Sequence, residues 1–109
     1  MNNLISVIIN VYNGENFIEK CLDSVINQTY KNLEILIIND GSTDNTLKIC
    51  ESYKDERIRI ITTENLGLSK SRNIGIENSK GNYSRLWSMV EYFKKRNYSI
   101  WNNRNYGNI

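Results

Sequence analysis

The residues of this chain that can do chemistry gather in three short stretches, VYNGE (11–15), NDGSTD (39–44) and TTENLG (62–67), with a basic pair just beyond the last. Asp40 ends an apolar run. A carboxylate there can accept hydrogen bonds from the N–H of a base or from a sugar hydroxyl, and it can equally serve as a turn residue before Gly41. Asp44 sits where a first helical turn would begin and suits a capping and dipole role. Tyr12 stands at the same kind of position as Asp40. Its ring can stack on a base or simply pack. Glu15 opens a helix and favours the helix dipole whatever else it does. Lys70 and Arg72 fall in the first turns of a third helix. From there they can reach a diphosphate with the help of the helix N-terminus, or remain solvated surface charges. Asn73 follows directly. The chain has no histidine, so the commonest general base and transition-metal ligand is missing.

These stretches are separated by alternating apolar patterns. LISVIINVY (4–12) and LEILIIND (33–40) are near-continuous apolar runs rich in β-branched residues, as in strands buried on both faces. Between them Phe17, Ile18, Cys21, Leu22, Val25 and Ile26 form one stripe at helical spacing, with Asn13 a candidate N-cap. Ser42 or Thr43 can cap a second helix running to Tyr53. RIRIITT (57–63) reads as a third, more exposed strand, and 64–81 as a loop opening a third helix. Ser71, Gly75 and Ser79 give that helix a small face for close approach. The strand–helix alternation predicts an α/β fold with a Rossmann-like parallel sheet of three to four strands flanked by helices. Ligands of such sheets bind beyond the carboxyl ends of the strands, where the three stretches lie.

Composition narrows the field. At 109 residues, 39% hydrophobic and 24% charged, the chain is one small globular domain. It has no transmembrane run and no signal-peptide pattern, and a cytoplasmic location is expected. Cys21 and Cys50 fit no metal-ligand spacing and read as core residues. There is no P-loop and no G-x-G-x-x-G after the first strand. The net charge of +2 hides an asymmetry: nine basic and eleven acidic residues up to Gly81, then five basic residues and only Glu91. Five such charges without a recognised module read as a solvated face, so no nucleic-acid partner is expected.

The segments SVIINVYNGENFIEKCLDSVINQTYKNLEILIINDGSTDNTLKIC and NLGLSKSRNIGIENSKGNY, in this order and spacing, resemble the N-terminal half of family 2 glycosyltransferases, which have the GT-A fold. The resemblance covers about residues 4–83. It implies a site for the nucleoside diphosphate of an activated sugar, usually a UDP-sugar. Carried over, Val11, Tyr12, Asn13 and Glu15 line the nucleotide pocket and Asp40 hydrogen-bonds the base. Arg72 lies towards the diphosphate, and Asn73 belongs to the same motif.

After Gly81–Asn82–Tyr83 the family continues with a short apolar strand and an Asp-x-Asp motif. That motif holds a divalent metal, Mn or Mg, against the departing diphosphate. Here SRLWSMVEYFKK follows, and no aspartate occurs after Asp55. Leu86, Met89, Val90 and Phe93 suggest a helical face, so 84–109 reads as a divergent helical tail joined to a nucleotide-sugar-binding half at 1–83. The metal strand is then deleted, or the reading frame changes at residue 84. The metal ligands are missing, no catalytic residue is assignable, and sugar transfer by this chain is expected to be impaired. A non-catalytic nucleotide-binding or interaction domain is the alternative. Loss of that strand would also bare the edge of the first strand, so a homodimer through the exposed edge is expected.

Overall fold

The computed structural model describes residues 3–90, with side chains through Ser84. The element order is β1 (Ile5–Tyr12), α1 (Ile18–Ile26), β2 (Leu33–Asp40), α2 (Thr46–Glu51), β3 (Ile58–Thr63), α3 (Leu68–Asn78) and β4 (Tyr83–Val90). The four strands form one parallel sheet in the order β3-β2-β1-β4. The expected α/β class and Rossmann-like sheet are therefore found. No described helix is long and apolar enough to cross a membrane.

The central strands are buried on both faces, which explains their unbroken apolar sequences. Val7, Ile9, Val11, Ile35 and Ile37 face α1 and α2, packing with Ile18, Cys21, Leu22, Val25 and Cys50. Burial pushes both thiols up, Cys50 to about 11, so they are protonated core groups. Ile8, Leu36 and Ile38 face the other way, towards Ile74 and Ile76 of α3. The small face of α3 does what its spacing suggested. Ser71 and Gly75 are its buried residues, and a Cβ at Gly75 would lie 2.4 Å from Ile8 Cγ2.

A polar latch closes the amino end of the sheet. Ser6 Oγ donates to Glu34 Oε1 at 3.0 Å, the Lys80 N–H donates to the same oxygen at 2.9 Å, and Arg59 Nη2 donates to Glu34 Oε2 at 3.0 Å. The Gly81 N–H donates to Ser6 Oγ at 2.8 Å. Asn82 brackets Leu4 from both sides: its N–H donates to the Leu4 carbonyl and its Oδ1 accepts from the Leu4 N–H. The chain leaving α3 is thus fixed beside β1 before β4 begins.

This latch corrects the helical reading of the tail. Through Val90 the residues after Tyr83 form a strand, paired with β1 from Ile5↔Tyr83 to Tyr12↔Val90. An eight-residue segment with apolar positions at helical spacing is matched just as well by a strand edge. Here the edge of β1 supplies a full ladder of backbone partners, and a short isolated helix has no comparable gain. The strand position after Tyr83 is therefore filled, not deleted. The β1 edge is covered, so the basis for a dimer through it falls away. The outer strands of the described sheet are β3 and β4. Phe93, the 94–100 stretch KKRNYSI and the rest of the tail lie outside the described residues.

Two stability predictions follow from this packing. Gly75→Ala should destabilise by roughly 1–3 kcal/mol through overpacking against Ile8, of which better helix propensity returns at most about 1 kcal/mol. A lower urea midpoint with an unchanged slope is the expected readout. The second concerns acid. Burial raises the Glu34 carboxyl, but its hydrogen bonds to the Lys80 N–H, Arg59 and Ser6 outweigh that and hold it below its ordinary value of 4.5. A carboxylate with a lowered folded value stabilises above its unfolded pKa and loses that contribution as pH falls through the folded one. Glu34→Gln should therefore melt below the parent at neutral pH, with the gap narrowing below about pH 4.5. Melting temperatures measured between about pH 2 and 7 check this.

Candidate nucleotide site

The strand order sets where a ligand can sit. From β1 the chain moves outward through β2 to β3, then returns to the other side of β1 to form β4. The crossovers on the two sides of β1 diverge, which opens a crevice at its carboxyl end. Tyr12 ends β1 and Asp40 ends β2, so both sit at this edge.

The loops after β1 and β2 are knitted together by their own side chains. Asn13 adopts a left-handed backbone (φ 52°), and its Oδ1 accepts the Thr43 N–H at 2.7 Å. Ser42 Oγ accepts the Asn13 N–H at 2.9 Å, and Thr46 Oγ1 accepts the Gly14 N–H at 3.0 Å. Glu15 and Asp44 each accept a backbone N–H of the other's loop. Glu15 Oε1 accepts the Asn45 N–H, and Asp44 Oδ2 accepts the Glu15 N–H. Asp44 Oδ1 also accepts the Thr46 N–H at 2.9 Å, from one residue ahead of Asn45, the N-cap of α2. In the structure Asn13 and Glu15 thus hold one loop against the other. The helices start later than their sequence signals suggested, at Ile18 and Thr46, because these loop bonds take up the preceding residues.

Asp40 is 4% exposed and its carboxylate is heavily committed. Thr63 Oγ1 and the Leu66 N–H each donate to Oδ1 at 2.7 Å, and the Gly67 N–H donates to Oδ2 at 3.0 Å. The carboxylate thereby ties the end of β3 and the loop that opens α3 to the end of β2. Gly41 makes the same junction tight. With φ 76° it sits so close to the loop that a Cβ would lie 2.7 Å from the Asn65 nitrogen.

Between these parts lies a cavity of about 180 Å³ lined by Asn10, Val11, Tyr12, Asp40, Asn65, Gly67, Leu68 and Ser71. Of the residues named from sequence, Val11, Tyr12 and Asp40 come together here. Arg72 follows Ser71 on α3 and is half-buried, and its Nε has no hydrogen-bond partner. Asn73 and Lys70 are exposed on the same helix. Sequence reasoning assigned no ligand role to Asn10, Asn65, Leu68 or Ser71. Asn10 did carry a signal, as a polar side chain inside a strand that is otherwise buried and apolar. Asn65 carried none beyond its place in the loop, and Leu68 none beyond its place at the start of α3.

No three His, Cys, Asp or Glu side chains among the described residues group to hold an ion, and β4 contains no acid. Asp40 and Asp44 are engaged by the loops as above. Glu91 follows Val90 directly and lies outside the described residues.

A parallel α/β sheet with a crevice at its switch point defines a Rossmann-like class of fold, and comparison with known proteins names the family. The model for glycosyl transferase family 2 matches residues 6–89, so the chain belongs to that family. The match continues past Tyr83 into β4, as the filled strand position requires. Glycosyltransferase GlyA of Streptococcus pneumoniae is 56% identical over 81 residues, 72% of this chain and 12% of GlyA. The uncharacterized glycosyltransferase EpsJ of Bacillus subtilis is 46% identical over 82 residues, covering 73% of this chain and 24% of EpsJ. The crystal structure of S. aureus TarS 1-349 superposes with a TM-score of 0.72 at 29% identity, over 77% of this chain and 26% of that one. The chain thus spans less than a third of the length of these relatives.

The bonding around Asp40 generates a prediction that needs no ligand. Asp40→Ala should cost about 1.5–3 kcal/mol, the scale of hydrogen bonds to a charged group. The loss should appear locally, as faster hydrogen exchange at the Leu66 and Gly67 amides than at the amides of β1.

Proposed function

We propose that this segment is the donor half of a GT-A-fold glycosyltransferase, binding the nucleoside diphosphate of a nucleotide sugar, with uridine as the base. The observation that carries the reading is the cavity at the carboxyl edge of the sheet, bounded by Val11, Tyr12, Asp40 and the start of α3. Tyr12 offers its ring to the base. Arg72, with its unpartnered Nε, and Lys70 offer positive charge to the diphosphate near the N-terminus of α3. Asn73 belongs to the same helical turn. Asn13 and Glu15 act by holding the wall of the pocket in place. A cytoplasmic location goes with this reading.

For the segment by itself, the acid-free β4 favours binding without transfer. A departing diphosphate needs its charge neutralised, and one lost electrostatic stabiliser costs about 2.7–4 kcal/mol of transition-state energy. Calorimetry with uridine diphosphate should show weak binding, with a Kd on the order of 1 mM and little response to manganese. Release of uridine diphosphate from nucleotide sugars should be undetectable. Absence of binding would defeat the nucleotide reading, and a large gain with manganese would show that acids of this chain, Glu91 among the candidates, do form a metal site.

A further inference from the structure

We propose that the Asn13–Gly14 bond is a self-modification site of this chain, gated by Thr46: when the knot between the first two loops opens, Asn13 converts through a cyclic imide to aspartate and isoaspartate. This is the one Asn-Gly pair in the sequence, and every other asparagine is followed by a residue with a side chain. Glycine has no Cβ to screen its backbone nitrogen. In the reaction hydroxide takes the Gly14 amide proton, and the nitrogen attacks Cγ of Asn13. The new N–Cγ bond closes the imide as the Cγ–Nδ2 bond breaks, and ammonia leaves with a proton from water. Water then opens the ring at either carbonyl, giving aspartate or isoaspartate. No oxidant, reductant or bound nucleotide takes part.

The folded chain withholds both reacting groups. Gly14 is buried, and its N–H donates to Thr46 Oγ1 at 3.0 Å. Thr46 is 0% exposed, and its own hydroxyl proton goes to Asp44 Oδ1, which leaves the oxygen to accept from Gly14. Hydroxide therefore has no path to the amide proton. The Gly14 carbonyl is held as well, by the Phe17 and Ile18 N–H groups at 2.9 and 2.8 Å. On the other side of the bond Asn13 Oδ1 accepts the Thr43 N–H at 2.7 Å and the Thr43 hydroxyl at 3.3 Å. The side-chain amide is thus tied to the second loop and cannot swing onto the Gly14 nitrogen. The Thr43 and Thr46 bonds both join the first loop to the second, so one local opening releases nucleophile and electrophile together. Either product adds a carboxylate to a junction that already holds Glu15 and Asp44, and isoaspartate also lengthens the main chain by one carbon.

The test incubates the full chain at mildly alkaline pH and follows the peptide containing Asn13 by mass spectrometry, with isoaspartate resolved chromatographically. The folded parent should modify at least roughly tenfold more slowly than the same chain unfolded in guanidinium chloride. Thr46→Ser, which keeps the hydroxyl, should match the parent. Thr46→Val, which keeps the shape and removes the acceptor, should modify several-fold faster, up to roughly tenfold for one lost hydrogen bond. Hydrogen exchange at the β1 amides of the same sample shows that this variant is folded while it reacts. A folded Thr46→Val chain that modifies at the parent's rate overturns the proposal. So does a parent that modifies equally fast folded and unfolded, a comparison that holds even where Thr46→Val fails to fold. Faster conversion at another asparagine of the unfolded chain overturns the choice of Asn13.

Discussion

The arrangement of the carboxyl edge depends on one buried carboxylate. Asp40 ends β2 with almost no solvent exposure, and an ionised group so placed must be fully hydrogen-bonded to be tolerated. Its donors come from Thr63 at the end of β3 and from the backbone of Leu66 and Gly67, just before α3. The end of β2 and the segment from the end of β3 to the start of α3, more than twenty residues away in sequence, are therefore brought to one point. The start of α3, the floor of the cavity and the position of Ser71 all follow from that point, and Ser71 in turn orients Asn10. A turn residue and a ligand residue were alternative readings of Asp40. The structure gives it a third task, as the anchor of a loop.

The opposite edge is organised by the same physics with a different acid. Glu34 gathers Ser6, Arg59 and the Lys80 N–H, and Ser6 passes the connection on to Gly81. At this end the consequence is register. Once Asn82 is bonded to Leu4, each following residue meets a defined partner on β1. The two carboxylates thus divide the work, one fixing where the last strand starts and the other fixing the site at its far end.

Membership of glycosyl transferase family 2 covers most of this chain but only a fraction of each relative. The chain contains the part of the fold where a central strand meets a switch point, and the family match runs on into β4. The sheet position after Tyr83 is thus filled, with no acid along β4.

The sequence by itself determined the alternation of strands and helices, the burial of β1 and β2, the close approach of α3 through Ser71 and Gly75, and the edge at which Tyr12 and Asp40 sit. These are properties of local patterns: apolar runs, helical stripes and small residues at fixed spacing. It misjudged residues 84–90, because a short segment with mixed apolar spacing satisfies a helix and a strand alike. The choice was made by β1, whose backbone groups needed partners along that side. Nor could it separate loop-holding from ligand-facing side chains. Asn13, Glu15 and Asp40 carry the same groups whether they bind a nucleotide or a neighbouring loop. Only the folded chain decides which donors reach them, and it gives those donors to Asn13, Glu15 and Asp40 while leaving Asn10 without one.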